Sequence, residues 1–300
     1  MSNESHFVTS AAGEHVLRVH VNKPVHAIRF EHELLRRLIE ADLPFRVPQP
    51  LSTLRGDTVA IDVDSARQCA LFPRIPGEAL ADSDPETVAR AAEAFARLDV
   101  ALGGIERTDL PSPMFAGDLR ALHRAITDFE QLDEVLGEQG RMMVERAAEN
   151  SAPIYASLPT QLIHGDFSFG NVLARGGRVR GIVDFEYAGR DVRAMELAAG
   201  VSSAILRENG ESLWRPVLRG YLGTLRLDAM ELGALPALVA LHWAVILVWW
   251  AGRSLDGHPF PDGPAALVDR ALEVERWISA RGRELVAEAL RASEAGGPLA

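Results

Sequence analysis

The chain has 300 residues, 47% of them hydrophobic and 24% charged, with a formal net charge of -11. That length suits one two-lobed unit or two domains with a sizeable core, and the acidic balance argues against a nonspecific grip on nucleic acid or an anionic membrane. Cys69 is the single cysteine, which excludes an internal disulfide and a multi-cysteine metal site and fits a reducing cytoplasm.

No basic segment leads into an apolar one at the N-terminus, so no secretory signal is visible. His6–Thr9 and His15–His20 alternate as two strands joined by a turn at Ala11–Glu14. Val16, Arg18 and His20 share one face, and Leu17, Val19 and Val21 the other. A helix is expected over His26–Ala41, with Ile28, Leu34, Leu35 and Leu38 as its apolar side. Pro44 and Pro48 mark a connection, and Leu51–Leu54, Thr58–Val63 and Gln68–Ile75 read as further strands. Cys69 lies in the apolar run to Phe72 and reads as a core residue. Residues 1–75 therefore form a small antiparallel sheet with one helix.

Residues 76–300 form a larger, mainly helical lobe, which makes the chain α+β and two-lobed. Helices are expected at Glu86–Ala101, Phe115–Phe129, Leu132–Glu149, Val192–Asn209, Trp214–Tyr221, Ala237–Ala251 and Ala265–Ser293. One strand-rich stretch, Leu162–Phe185, lies among them, and Glu294–Ala300 reads as a tail. The most apolar run, Leu232–Ala251, contains Pro236 and His242 and is followed by Arg253, so a buried helix is expected and not a membrane span.

Chemistry concentrates in that strand-rich stretch. His164, Asp166, Asn171 and Asp184 interrupt apolar runs, and Gly176-Gly177 closes a hairpin that brings Asp166, Asn171 and Asp184 to one end. Single Asp or Asn residues often cap turns. Three of them in this order match what phosphoryl transfer needs: a carboxylate for the attacking hydroxyl (Asp166) and hard oxygen ligands for Mg²⁺ (Asn171, Asp184).

The His164-Gly165-Asp166 triplet, the five-residue step to Asn171, and Ile182-Val183-Asp184-Phe185 resemble the aminoglycoside phosphotransferase and choline kinase superfamily. That superfamily has a protein-kinase-like fold and includes kinase-like homoserine kinases. The resemblance implies transfer from ATP (or GTP), with Mg²⁺, to a small-molecule hydroxyl. It makes Asp166 the catalytic-loop aspartate and Asn171 and Asp184 the metal ligands. His164 would brace the loop, and Asp191 and Glu196 would be structural residues near the site. Arg18 would bind nucleotide phosphates with Glu31 as its partner, Glu33 being the competing choice. Leu71 and Phe72 at the lobe join would border the adenine, and Ser5 would touch a phosphate. The glycine-rich covering loop of kinase-like folds has no counterpart before Ser5.

The acceptor is less determined. Candidates are Ser168 and Phe169 beside Asp166, and a late helix with Trp243, Trp250 and Arg253. Arg253 would suit a carboxylate-bearing acceptor such as homoserine, while tryptophans could cage a choline-like cation and the acidic balance would suit an aminoglycoside. Ordinary packing is the plain alternative for each tryptophan. A non-catalytic nucleotide-binding or scaffold protein of the same fold is the reading from a different class. Nucleic-acid partners lack a basic stripe, and a zinc enzyme lacks paired histidine spacing.

Overall fold

Alternating residues build an antiparallel hairpin, β1 (Glu4–Ser10) with β2 (Gly13–His20), in which Ser5 lies opposite Arg18. The computed structural model describes residues 3–21, 23–80, 84–105, 119–260 and 262–295. The hairpin continues through β4 (Gln68–Pro73) to β3 (Ala60–Ile61), giving a four-stranded antiparallel sheet in the order β1-β2-β4-β3. Helix α1 (Val25–Glu40) covers it, and the four apolar residues expected to face inward are all buried. Each such side chain contributes roughly 1.5–3 kcal/mol on full burial.

Three expectations in this lobe need correction. Leu51–Leu54 is not a strand, although the Leu51 N–H donates to the Leu71 carbonyl of the sheet at 2.8 Å. Only Ala60–Ile61 of Thr58–Val63 pairs. Cys69 is half-buried, because Ala70 and Phe72 take the inner face of β4 and alternation turns Cys69 and Leu71 to the other side.

The second lobe begins with β5 (Glu78–Ala79), which pairs with the later segment Val172–Arg175 and not with the first sheet. Asp84 caps α2 (Pro85–Gly103), accepting from the Thr87 N–H at 2.8 Å, with Pro85 in the first turn where a missing N–H costs nothing. Helix α3 (Leu132–Tyr155) leaves helical geometry at Gly137 (φ 73°). Then come β6 (Thr160–Ile163), β7 (Val172–Arg175), β8 (Arg178–Ile182) and β9 (Gly189–Val192), forming two small sheets, β5-β7-β8 and β6-β9. Helices α4 (Ala194–Ile205), α5 (Gly210–Leu222), α6 (Ala229–Leu255) and α7 (Pro264–Ala295) complete the lobe.

Strand β9 was missed, since its polar Arg190 and Asp191 look like a turn before a helix. The expected helix over Phe115–Phe129 is not seen: residues 119–128 are turns and bends, and 115–118 lie outside the described residues. Of the expected tail, Glu294 and Ala295 belong to α7, and residues 296–300 also lie outside. Helix α6 starts earlier than expected because Asp228 and Glu231 form a capping box, with Asp228 accepting from the Met230 and Glu231 N–H groups. Buried Glu231 also holds Arg193 through two bonds, at 2.6 and 2.7 Å, which ties this end of α6 to the start of α4. By length and hydropathy α6 could cross a membrane. Here it is the core helix of the lobe, packed against α3, α4 and α7.

Candidate active site

The β7–β8 hairpin turns at Gly176-Gly177, both with positive φ, and pairs Val172 with Ile182. That register sets Asn171 and Asp184 at the open end, where the Val183 N–H donates to the Asn171 carbonyl at 2.9 Å. Asp184 itself is left-handed (φ 69°, ψ 61°), a costly conformation for a residue with a Cβ.

Asp166 enters from the loop after β6. The Asn171 amide donates to its carbonyl (3.0 Å) and to its carboxylate (2.8 Å), which leaves the Asn171 side-chain oxygen free of that grip. Burial pushes the Asp166 carboxyl up to about 6; the Asn171 bond opposes the shift and the Asp184 charge adds to it. It is still mostly ionised at neutral pH, as a proton acceptor must be.

Two buried groups fix this loop. His164 is fully buried, its Nε2 bonded to the Val183 carbonyl at 3.0 Å, so the ring bridges the residues preceding Gly165 and Asp184. Burial lowers its pKa to about 4, and the neutral ring must carry its proton on Nε2 to donate to a carbonyl. Glu196, also fully buried, accepts from the Gly165 N–H at 2.8 Å. Gly165 has φ 81°, and a Cβ there would lie 2.4 Å from the Tyr187 carbonyl, so no other residue fits. Asp191 is farther back, on β9, accepting from the Tyr155 hydroxyl and from the Val192 N–H (2.6 Å); burial raises it to about 6.

Facing this end across the lobes is Arg18 on β2. Its guanidinium lies 2.5 Å from Asp184, 3.2 Å from Glu186 and 3.6 Å from Glu31. Burial works against its charge, but the three carboxylates more than offset that and raise its pKa. Lys23 holds the other Glu31 oxygen at 2.8 Å and the Glu186 carbonyl at 3.1 Å. Burial alone would push Glu31 up; Lys23 and Arg18 hold it below its ordinary value. Glu33, the competing choice, pairs instead with Arg36 and Arg37 on the outer side of α1. Between the lobes is a cleft of about 350 Å³ whose wall includes Ser5, Val16, Arg18, Phe72, Leu173 and Asp184. Leu71, expected to line it with Phe72, lies on the other face of β4.

Sequence reasoning assigned no role to Lys23, Glu186 or Tyr187. Glu186 was visible two residues after Asp184, but its contact with Arg18 depends on how the lobes meet. Burial pushes it up to about 6, with the Asp184 charge adding.

The acceptor candidates separate. Phe169 is fully buried under Arg207, and Phe167 stacks on Phe95 at 4.0 Å, so both anchor the loop in the core. Ser168 is partly exposed, and its backbone makes the turn between Asp166 and Asn171. Trp243 is buried and donates to Ser202 on α4 at 2.7 Å, which makes it a packing residue. Trp250 is half-buried, stacked on Phe260, with Arg253 5.6 Å from its ring centre. Tyr187 packs edge-on against Trp249 and feels the charges of Asp166 and Arg253 together.

The profile of the phosphotransferase enzyme family matches residues 1–232. This chain belongs to that family. The homoserine kinase of Methylobacillus glycogenes is 24% identical over 265 residues, covering 87% of this chain and 79% of its own. That of Phenylobacterium zucineum (strain HLK1) is 26% identical over 297 residues, covering 93% and 84%. Among solved structures, the microcompartment-associated aminopropanol kinase superposes with a TM-score of 0.71 at 20% identity, over 97% of this chain and 92% of that one. Amicoumacin kinase hAmiN, in complex with AMP-PNP, Ca²⁺ and Ami, gives 0.66 at 17%, over 92% and 86%. At those identities the structural likeness establishes the protein-kinase-like fold of this phosphotransferase.

Proposed function

We propose that this phosphotransferase moves the γ-phosphoryl group of ATP (or GTP) to the hydroxyl of a small acceptor bearing a carboxylate, with homoserine the leading candidate. In this reading the nucleotide lies in the cleft under β1 and β2, its phosphates against Arg18. Asn171 and Asp184 offer oxygen donors only, the kind a hard divalent cation takes. Mg²⁺ held there would neutralise charge on the phosphates. The acceptor oxygen bonds to phosphorus as its proton passes to Asp166, and the bond to the β-phosphate oxygen breaks to release the nucleoside diphosphate. Positioning and electrostatics supply most of the rate.

The carboxylate preference rests on Arg253. It is 9% exposed, and its Nε and one terminal nitrogen are buried with no partner among the described residues. A buried guanidinium left unpaired is costly, and an anionic group of a ligand would remove that cost. In this reading one small molecule presents its hydroxyl to Asp166 and its carboxylate to Arg253. The same unpaired cation disfavours choline or an aminoglycoside. The homoserine kinase relatives support the choice independently.

The test is nucleoside diphosphate release with Mg²⁺ and ATP or GTP against homoserine, 1-amino-2-propanol, choline and an aminoglycoside. Homoserine should give the highest kcat/KM. Arg253→Gln should raise its KM by about 10- to 100-fold and leave the nucleotide KM unchanged. Equal turnover of the carboxylate-free acceptors, or an unaffected Arg253→Gln, would remove the carboxylate assignment. No turnover and no Mg-nucleotide binding would remove the kinase reading and favour a scaffold role.

A further inference from the structure

A second cavity, of about 480 Å³, shares no lining residue with the cleft. Its wall combines the segment after α1 (Leu43, Pro44, Phe45, Arg46), Pro76 at the lobe join, and Arg175, Val179 and Arg180 of the β7–β8 hairpin. The parts are tied by backbone: the Arg46 N–H donates to the Arg180 carbonyl at 2.9 Å, and the Ile182 N–H to the Arg46 carbonyl at 3.1 Å. The cavity therefore lies along the hairpin, from Arg175 and Val179 near its turn to Arg180, and Arg46 meets β8 two residues short of Asp184.

Its charge is unusual for this chain. The formal net charge is -11, and many of the arginines, Arg36, Arg141 and Arg215 among them, hold carboxylates. Arg46, Arg175 and Arg180 are exposed, and among the described residues none of their side chains makes an ion pair or hydrogen bond. No carboxylate lines the wall. Three like charges on the wall of one concavity repel each other, and a bound anion would reduce that repulsion. The planar guanidinium fork matches phosphate oxygens in pairs, whereas Pro44, Phe45, Pro76 and Val179 give a nonpolar side for the rest of a ligand.

We propose that this cavity binds a small phosphate-bearing molecule, at a site separate from the catalytic cleft. Such a ligand bridges the α1 exit, the lobe join and the hairpin, and so steadies the two strands that position Asn171 and Asp184. The assignment does not depend on the identity of the acceptor.

Calorimetric titration of the full chain with inorganic pyrophosphate tests it, at constant ionic strength, using wild type, Arg175→Gln/Arg180→Gln and Arg18→Gln. Both hairpin arginines are exposed, so the double variant should fold, which circular dichroism checks. Saturable binding should persist in Arg18→Gln and weaken by about tenfold or more in the double variant. Undiminished binding in the double variant, loss confined to Arg18→Gln, or no binding at millimolar pyrophosphate would each overturn the proposal. Equal affinity for succinate would also overturn it, by showing a site for dianions in general.

Discussion

Arg18 on β2 reaches across the cleft to Asp184, 2.5 Å away, so the residue proposed to hold nucleotide phosphates and the residue proposed to hold the metal contact each other directly. Glu186 and Glu31 share the same guanidinium. Two halves of the site, contributed by different lobes, are thus held together by Arg18, with Lys23 adding a second link to the Glu186 carbonyl.

Removing the Arg18 cation leaves Asp184 and Glu186 facing each other, with Lys23 still on Glu31. Arg18→Gln should lower the thermal midpoint of the ligand-free protein. Added Mg²⁺ should then raise the variant's midpoint more than the wild type's, because a divalent ion takes over the neutralisation. The nucleotide KM should rise by about 10- to 100-fold, the range for losing a charge-assisted bond. Scanning fluorimetry with and without Mg²⁺ checks the first part. Equal Mg²⁺ shifts in the two proteins would show that the carboxylates do not depend on Arg18 in this way.

Asp166→Asn keeps an oxygen for the Asn171 amide to donate to, so the loop should keep its shape. What is lost is the ability to take a proton. kcat should fall by about 10²- to 10⁴-fold, the usual contribution of a positioned general base. Nucleotide affinity, measured by direct titration, should stay close to wild type. Full turnover in the variant would mean that another group accepts the proton.

Legibility of the site in sequence followed distance along the chain. Asp166, Asn171 and Asp184 lie on one loop and one hairpin, so their convergence follows from strand alternation and a Gly-Gly turn. Arg18 and Glu31 were reachable only through resemblance, since nothing local says that β2 and α1 face β8. Glu186 and Tyr187 gave no sign of their partners, which come from the other lobe and from α6, and Lys23 meets both Glu31 of α1 and the Glu186 carbonyl across the lobes. Trp243 and Arg253 show the same limit on one helix. Both are buried, but Trp243 meets Ser202 of α4, while the Arg253 Nε and one terminal nitrogen have no hydrogen-bond partner among the described residues. That difference is set by packing between helices, which the pattern of α6 does not contain. The turns at residues 119–128 read as a helix because Leu119, Leu122, Ile126 and Phe129 repeat at helical spacing, yet that spacing here only seats turns and bends on the core.

Trp243 was a candidate for the acceptor wall, and its place in the core gives the opposite expectation. Trp243→Phe leaves the Ser202 hydroxyl without its 2.7 Å donor and opens space beside α4. Stability should fall by about 1–3 kcal/mol, read from denaturant unfolding. The acceptor KM should not change. A large KM effect with unchanged stability would return Trp243 to the acceptor site.

Glu196 makes stability depend on pH in an uncommon direction. Burial pushes its carboxyl up to about 8, above the ordinary value of 4.5; the Gly165 N–H opposes the shift and the Asp166 charge adds to it. Asp99, also fully buried, is raised by burial and by the Glu196 charge. The folded protein therefore keeps a proton on Glu196 that the unfolded chain releases above about pH 4.5. Its contribution to stability is fully present below pH 4.5 and is lost as pH rises through about 8, at a limit of about 1.4 kcal/mol per pH unit. Glu196→Gln keeps an oxygen for the Gly165 N–H and has no proton to release. Thermal midpoints at pH 5, 6.5 and 8 should show the variant gaining on wild type as pH rises. Glu196→Ala loses the acceptor as well and should be destabilised by about 1–3 kcal/mol at every pH, with kcat reduced because Gly165 precedes Asp166. Parallel pH profiles for wild type and Glu196→Gln would mean that Glu196 is ionised in the folded protein, its charge offset by the surrounding N–H groups.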